Sequence, residues 1–276
     1  MRIALTGAGG RLGGAVRAAL QAREHEVIGI DTQPLSARGI LHIQADLRDL
    51  GQTYGALAAA DAVIHLAAIP APTGHPPEIV FATNMITTFN VFEAATTLGI
   101  RRVVYASSVS ALGFPWQHRW SEPLYLPIDE QHPLLPQDCY GLSKAMGEDI
   151  AAAYTRRGAG SAFCLRFSTI LREDDYPLYL AQAQCDPASH AHLLWSYVDL
   201  RDAADACVLA VEVAYEGRQP LYITADDTTV DLPTETLLDR YFPQVPRRPG
   251  QRPERWSLLD TSLAAQLLGY RPHHHR

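Results

Sequence analysis

The stretch Thr6-Gly7-Ala8-Gly9-Gly10-Arg11-Leu12-Gly13 joins a short apolar run, Arg2–Leu5, to a segment with helical spacing, Leu12–Arg23. Gly7 allows a tight turn, Gly10 allows a close backbone approach to a pyrophosphate, and Gly13 allows close packing of the helix on the strand. The helix that follows presents free N–H groups and the positive end of its dipole to such a ligand. The stretch therefore predicts a strand–turn–helix unit that binds a dinucleotide.

An acidic residue, Asp31, follows the next predicted strand, Glu26–Ile30. A carboxylate at this tip can accept hydrogen bonds from both hydroxyls of an adenosine ribose, and it repels a 2′-phosphate. We therefore predict NAD rather than NADP as the cofactor. The alternative is that Asp31 is a turn residue before Pro34.

Outward from this unit, β-rich runs alternate with helical patterns along the 276 residues. Further strands are predicted at 39–43, 62–66, 102–106, 161–167 and 220–223, and helices at 79–98, 140–157, 202–213, 233–241 and 262–268. This alternation is typical of βαβ units and a parallel sheet. We predict an α/β fold with a Rossmann-type doubly wound parallel sheet. Residues 1–168 form the dinucleotide-binding core, and residues 169–276 form a small C-terminal substrate-binding region interleaved with the last strands and helices.

Composition excludes several classes of function. The net charge of −7 offers no basic patch for nucleic acid and disfavours anionic membranes. We find no apolar run of about 18–20 residues that could span a bilayer and no signal peptide at Met1. The four cysteines are widely separated, which indicates reduced thiols of a cytoplasmic protein. The run His273–His275 could bind metal but is more often solvated or a cloning residue, so we predict no metal site.

The stretch Tyr140-Gly141-Leu142-Ser143-Lys144 indicates catalysis. Residues four apart on a helix share one face, which places Tyr140 and Lys144 about one turn from each other. A phenol ordinarily loses its proton near pH ~10, and a neighbouring ammonium lowers that pKa towards neutrality. A tyrosine activated in this way beside a nicotinamide can exchange the proton that reversible alcohol oxidation requires. The alternative is that the spacing arises by chance.

Further motifs follow in order: Asp46-Leu47-Arg48-Asp49, then His65-Leu66-Ala67-Ala68, then Asn84, then the serine-rich run from Tyr105 to Gly113. With the glycine turn, Tyr140 and Lys144, they make the chain resemble the extended short-chain dehydrogenase/reductase superfamily, in its NAD-dependent epimerase/dehydratase branch. The resemblance covers nearly the whole chain. It implies a catalytic set of Ser108, Tyr140 and Lys144, in which Ser108 holds the substrate oxygen and Lys144 grips the nicotinamide ribose. The implied cofactor residues are Gly7, Gly10, Arg11, Leu12, Gly13, Asp31, Asp46, Leu47, Leu66, Ala67, Ala68, Asn84, Tyr140 and Lys144.

The resemblance is less informative about the substrate. Thr169 stands where the family often has an asparagine that helps to hold a nucleotide-sugar, and the chain is short for such an enzyme. In size it is similar to the uronate dehydrogenases, but Pro177 stands where an arginine would clamp a carboxylate. The substrate candidates are Ile69, Pro72, Ser110, Phe114, Trp116, Thr169, Trp195 and Tyr197. Asp199 and Asp202 are interpreted as caps of the following helix.

Three functions remain open at this point. We expect an oxidoreductase that moves hydride between a sugar-like hydroxyl and NAD. The alternatives are an epimerase that keeps its cofactor bound and a non-enzymatic dinucleotide sensor. The resemblance also implies a homodimer in which the helices Ile79–Leu98 and Tyr140–Arg157 pair across a two-fold axis, with Phe89, Phe92 and Tyr154 on their outer faces.

Overall fold

The computed structural model describes residues 1–35, 39–158 and 160–276. Its strands are β1 (Arg2–Thr6), β2 (Glu26–Asp31), β3 (Leu41–Gln44), β4 (Ala62–His65), β5 (Arg102–Ser108), β6 (Ser161–Phe167), β7 (Thr169–Leu171), β8 (Tyr197–Asp199) and β9 (Gly217–Ile223). Its helices are α1 (Arg11–Ala22), α2 (Leu50–Leu57), α3 (Pro77–Thr97), α4 (Cys139–Arg156), α5 (Tyr176–Cys185), α6 (Leu200–Glu212), α7 (Thr234–Tyr241) and α8 (Ser262–Leu268).

Within the described residues, seven strands form one parallel sheet in the order β3-β2-β1-β4-β5-β6-β9. The strand order reverses direction between β1 and β4. The helix that follows β1 therefore packs on one face of the sheet, and the helix that follows β4 packs on the other. In open α/β sheets a ligand binds in the crevice at this switch point. The predicted Rossmann-type sheet is confirmed, and it positions the glycine turn after β1 at that crevice.

Alternate side chains of the sheet fill two cores. On one face, Ile3 and Leu5 pack with α1, α6 and α8. On the other face, Ala4 and Val63 pack with α2, α3 and α4. Both faces are covered, which is why the strands are apolar throughout instead of alternating with polar residues.

The second half adds its own core and also shares the sheet. Strand β9 pairs with β6 at the sheet edge, while β7 and β8 form a separate two-stranded parallel sheet. Single bridges from Leu126 to Arg247 and from Ile128 to Leu259 tie the loop after β5 to the C-terminal region. The division at residue 168 stays a prediction.

Several local elements differ from the sequence prediction. Helix α2 was not predicted; its cap is Asp49, whose carboxylate accepts from the Gln52 N–H at 3.0 Å. Helix α5 was also not predicted. Strands β7 and β8 were not predicted because a three-residue strand carries too little periodicity to be recognised. Strand β3 lies at Leu41–Gln44 instead of 39–43.

The C-terminal residues are attached to the folded domain, although His273 and His275 stay exposed to solvent. The Asp202 carboxylate accepts the backbone N–H groups of His273 and His274 and pairs with the His274 ring at 2.7 Å. Arg276 pairs with Asp227 and Asp231. Asp202 therefore holds the tail and does not cap α6; Asp199 alone does so, accepting from the Arg201 N–H at 2.8 Å.

Two predicted outer-face residues belong to the core. The ring centroids of Phe92 and Tyr154 lie 5.2 Å apart. Both rings are buried between α3, α4 and the sheet, where they fill the space beside Tyr105. All four cysteines carry free thiols. Among the described residues, no helix is both long and apolar enough to cross a membrane.

Candidate active site

A cavity of about 1300 Å³ opens at the carboxyl ends of β1, β2, β4, β5 and β6. Its walls include the glycine turn, the two acidic loop residues Asp31 and Asp46, and the segment after β6. The three predicted catalytic residues, Ser108, Tyr140 and Lys144, also line it. A concave site with apolar walls and a few converging polar groups is typical of a cofactor and substrate site.

The glycine turn is built for close approach. Gly7 has φ +68°, and a Cβ placed on it would lie 2.8 Å from the Ala67 nitrogen. A Cβ on Gly13 would lie 2.2 Å from the Gly7 carbonyl oxygen. The turn thus lies against the loop after β4 and brings the N-terminus of α1 to the cavity, where its N–H groups can receive phosphate oxygens.

Asp31 is fixed by the turn that it faces. Its Oδ2 accepts the Gly9 N–H at 2.9 Å and its Oδ1 accepts the Gln33 N–H at 3.1 Å. Each carboxylate oxygen retains a lone pair, so the group can still accept two ribose hydroxyls. Asp46 lies further along the wall and is held by Arg48, whose hydrogen bonds lower the pKa of the Asp46 carboxyl.

Asn84 lies behind Ile69, a residue of the cavity wall, and not in the wall itself. Its side chain accepts the Ile69 N–H at 2.8 Å and donates to the Ile69 carbonyl at 3.1 Å. It also donates to the Ser143 hydroxyl at 3.1 Å. Asn84 is not among the described cavity-lining residues; it braces the loop after β4 against α4 and supports the wall indirectly.

Ser108 and Tyr140 meet as the motif spacing predicts. Ser108 is the last residue of β5, and Tyr140 lies in the first turn of α4, whose cap Asp138 accepts the Tyr140 and Gly141 N–H groups. The Ser108 hydroxyl donates to the Ser110 hydroxyl at 3.1 Å and lies near enough to the Tyr140 phenol to lower its pKa. A substrate oxygen placed between them would contact both a donor and an acid–base group.

Burial moves the Tyr140 pKa in the direction opposite to the prediction. Loss of water raises the pKa of Tyr140 to about 12, although the nearby Ser108 hydroxyl acts to lower this pKa; the Asp138 carboxylate raises it further. Burial also lowers the pKa of Lys144 to about 7. The Lys144 ammonium donates to the Ala106 carbonyl at 2.7 Å and lies 5.6 Å from the Tyr140 ring centroid. Desolvation disfavours the charged form of each group, the phenolate of Tyr140 and the ammonium of Lys144.

The predicted substrate residues divide into two sets. Ile69, Ser110, Trp116 and Thr169 line the cavity. Phe114, Trp195, Tyr197 and Pro72 are not among its described wall residues.

Three of the four that do not line the cavity are core residues. Trp195 is fully buried; its indole N–H donates to the Pro187 carbonyl and its ring packs on Phe242. Tyr197 is buried with its hydroxyl on Asp227, and Phe114 packs beside His132. Large aromatic rings gain more by complete burial than by lining a wet cavity.

Some wall residues were not predicted. Pro115, Leu193 and Arg172 line the cavity near the predicted substrate residues. Arg172 follows Thr169 by three residues, so its position in the same segment was a usable signal. Leu193 reaches the wall from the end of a short 3₁₀ helix, Pro187–Leu193, and its sequence context carries no such signal.

Removing the Asp31 carboxylate tests the cofactor assignment. We expect Asp31→Ala to narrow the preference for NAD over NADP by about 10-fold or more, because a charge that repels a 2′-phosphate is lost. The measurement is kcat/KM with each cofactor, with Asp49→Ala as a control carboxylate outside the cavity. A parent enzyme that prefers NADP would contradict the role of Asp31.

Comparisons with known proteins agree with this geometry. The model of the NAD dependent epimerase/dehydratase family matches residues 3–223. A uronate dehydrogenase from Pseudomonas putida is 34% identical over 159 residues, 56% of this chain and 56% of that protein. The chain thus matches little more than half the length of that relative. An L-arabinose 1-dehydrogenase (NAD(P)(+)) from Haloferax volcanii is 32% identical over 179 residues, 63% of this chain and 69% of that protein.

The fold also matches a solved structure. A short-chain dehydrogenase/reductase superfamily protein from Agrobacterium tumefaciens with bound NAD superposes with a TM-score of 0.75 at 24% identity, covering 100% of this chain and 93% of that one. At this identity the likeness supports the fold alone.

Proposed function

The chain belongs to the NAD dependent epimerase/dehydratase family, and from this premise we propose that it is an NAD-dependent oxidoreductase acting on one hydroxyl of a small neutral sugar or polyol. The observation that carries the proposal is the meeting of Ser108, Tyr140 and Lys144 in the same cavity as the glycine turn. A dinucleotide sensor has no need of an acid–base pair beside its cofactor.

NAD is the cofactor of this family, and the cavity fits it. The glycine turn and the N-terminus of α1 line the cavity with backbone that a pyrophosphate can approach closely, and Asp31 has free lone pairs for a ribose. When bound, NAD accepts a hydride from the carbon that carries the substrate hydroxyl.

The chain's own residues manage the proton. Ser108 donates to the substrate oxygen and orients its proton towards Tyr140, which takes it as the base. Burial leaves Tyr140 with a pKa of about 12 and Lys144 with a pKa of about 7, so positive charge beside the phenol is needed to favour its phenolate form. The Lys144 ammonium, which lies 5.6 Å from the Tyr140 ring centroid, supplies such a charge and favours the phenolate that acts as the base.

Charge at the substrate end supports a neutral substrate. Arg172 is the cation in this segment, and Asp175 binds it at 3.1 and 2.8 Å through two oxygens. A substrate carboxylate would have to displace that aspartate. Ile69, Trp116 and Thr169 offer apolar and hydroxyl contacts, which suit the faces and hydroxyls of a sugar.

The C-terminal arginines do not favour a nucleotide-sugar. A nucleotide diphosphate needs cations or helix N-termini free to receive it. These arginines are already engaged: Arg247 with Glu235 and Asp239, Arg248 with Asp129, Arg255 with Asp227 and Asp231, and Arg252 over the Trp256 ring.

A substrate screen tests the proposal. Aldoses, polyols, uronates and UDP-sugars are each incubated with the protein and NAD⁺, and free NADH is followed by absorbance. We expect NADH from at least one neutral aldose or polyol. Faster turnover of a uronate would overturn the neutral-substrate assignment. Micromolar binding of UDP by calorimetry, with no free NADH from any compound, would instead favour an epimerase.

We also propose that the protein is a homodimer formed through α3 and α4. These adjacent helices expose large apolar side chains on one surface: Ile79, Ile86, Phe89, Leu142 and Met146. Exposed apolar side chains on two neighbouring helices favour burial against a second copy.

A charge placed on that surface tests the dimer. Phe89 is 47% exposed, and we expect Phe89→Asp to shift the mass measured by light scattering from dimer to monomer at micromolar concentration. The matched control is Leu178→Asp on α5, which is 68% exposed but lies off this surface. A parent protein that is already monomeric at that concentration would contradict the proposal.

A further inference from the structure

Lys144 is the only lysine in the 276-residue sequence. Its side chain lies in the interior with 4% exposure. Its ammonium has three N–H donors, and its hydrogen bond goes to the Ala106 carbonyl at 2.7 Å. Across the residues that the structure describes, no carboxylate forms an ion pair with it. A buried cation that has a carbonyl partner but no carboxylate partner needs another source of stabilisation.

Two aromatic rings supply that stabilisation. The Lys144 nitrogen lies over the Tyr105 ring at 5.1 Å from its centroid and over the Tyr140 ring at 5.6 Å. Both distances are within the roughly 6 Å over which a ring face attracts a cation, and the attraction strengthens when water is excluded. Tyr140 belongs to the proposed catalytic pair, whereas Tyr105 has had no role so far.

The Tyr105 ring is held rigidly in this position. It lies on β5, three residues before Ser108, and packs edge-on against Phe92 and stacked on His65. A Cβ built on Gly147, three residues after Lys144 in α4, would lie 2.2 Å from the Tyr105 hydroxyl oxygen. The glycine therefore leaves the space that the Tyr105 side chain fills beneath the lysine.

We propose that Tyr105 is a positioning residue, whose ring face holds the Lys144 ammonium beside Tyr140. The proposal deepens the proposed function and rests on it for its catalytic meaning. Tyr105 touches neither substrate nor cofactor in this arrangement; it acts through Lys144. Its contribution is to favour the charged form of a lysine that burial disfavours.

The other titratable groups around this pair are neutral or already paired. Burial lowers the pKa of His65 to about 3, and burial raises the pKa of Cys164 well above its usual range, so neither is charged near pH 7. Glu148 accepts two hydrogen bonds from Arg166 at 2.8 Å. Asp138 caps α4 from the Tyr140 side. Beside the Ala106 carbonyl, the two ring faces thus remain the local stabilisers of the ammonium.

A single lysine makes a direct measurement possible. Lysine labelled with carbon-13 at its Cε position gives one side-chain signal, whose shift against pH reports the Lys144 pKa without any need for turnover. The series is the parent, Tyr105→Phe, Tyr105→trifluorophenylalanine and Tyr105→Leu. Fluorine keeps the ring shape but withdraws electron density from its face.

The expected order of Lys144 pKa values follows the ring face. Tyr105→Phe keeps an electron-rich ring face, so the Lys144 pKa should stay close to that of the parent. The fluorinated ring and Tyr105→Leu should each lower the Lys144 pKa by about 0.5–1 pH unit. Because the ammonium is the form that favours the Tyr140 phenolate, the alkaline limb of the pH–kcat/KM profile should move to lower pH by the same amount. Equal pKa values for Tyr105→Phe and its fluorinated counterpart would overturn the proposal, even if Tyr105→Leu fails to fold.

The two readouts separate this inference from the proposed function. A pKa series in the expected order with no turnover of any sugar would uphold the role of Tyr105 towards Lys144 and count against the oxidoreductase. Turnover of a sugar together with the same Lys144 pKa in every variant would support the oxidoreductase and overturn the role of Tyr105.

Discussion

Tyr140→Phe is expected to lower turnover by about 10²–10⁴-fold, the usual contribution of a positioned acid–base group. The substitution removes only the phenol oxygen beside Ser108, and the ring that lies near Lys144 stays in place. NAD binding, measured by calorimetry, should therefore change little. Single-turnover kinetics with the substrate found in the screen give the chemical step directly.

The matched control for this variant lies on the same helix. Tyr154 is also buried in α4, and its hydroxyl donates to the Ile100 carbonyl, far from the described cavity wall. Tyr154→Phe removes the same atom from the same helix and should leave turnover near the parent value. Equal losses in both variants would mean that α4 had been disturbed, and an unchanged rate in Tyr140→Phe would end the assignment of Tyr140 as the base.

Glu148→Ala is expected to destabilise the fold by about 3–5 kcal/mol, because it leaves a buried guanidinium unpaired. Glu148 and Arg166 are 1% and 3% exposed in their side chains and form a bidentate pair. Ser107 donates to the same carboxylate at 2.7 Å, so the pair joins α4 to β5 and β6 directly behind Ser108. The measurement is the free energy of unfolding in urea.

Two controls define this effect. Glu26 pairs with Arg2 but is 72% exposed in its side chain, so Glu26→Ala should cost less than about 0.5 kcal/mol. The double variant Glu148→Leu/Arg166→Met removes both charges and should be milder than Glu148→Ala alone. A loss below about 1 kcal/mol for Glu148→Ala would show that water reaches Arg166 after all.

The parts of this site that the sequence predicts are those set by local geometry. The glycine turn depends on backbone conformation within eight residues, and the Tyr140–Lys144 spacing depends only on one turn of a helix. The position of Ser108 follows from its place at the end of a strand in a parallel sheet, where neighbouring strand ends meet. Each of these constraints is written in a few consecutive residues.

The parts that the sequence could not predict depend on contacts between distant segments. Trp195 and Trp116 look alike as residues, yet one is fully buried against Phe242 and the other lines the cavity. Phe89 and Phe92 lie three residues apart on α3, but only Phe89 faces outward. The Lys144–Tyr105 contact joins a helix to a strand and has no local signature. Burial at such positions is decided by the whole fold.

The attachment of the C-terminal residues bears on how this protein behaves on a nickel column. A histidine run serves as an affinity tag when its imidazoles are free to coordinate the immobilised ion. Here the Nδ1 of His274 faces Asp202, the Nδ1 of His275 faces Asp226, and the His273 backbone is tied to Asp202. The ring contacts use Nδ1 and leave each Nε2 able to coordinate nickel, but the run is attached to the folded body, so it reaches an immobilised ion only where the protein surface allows. A tag placed elsewhere on the chain would purify the native protein without pulling on the segment that packs against α6.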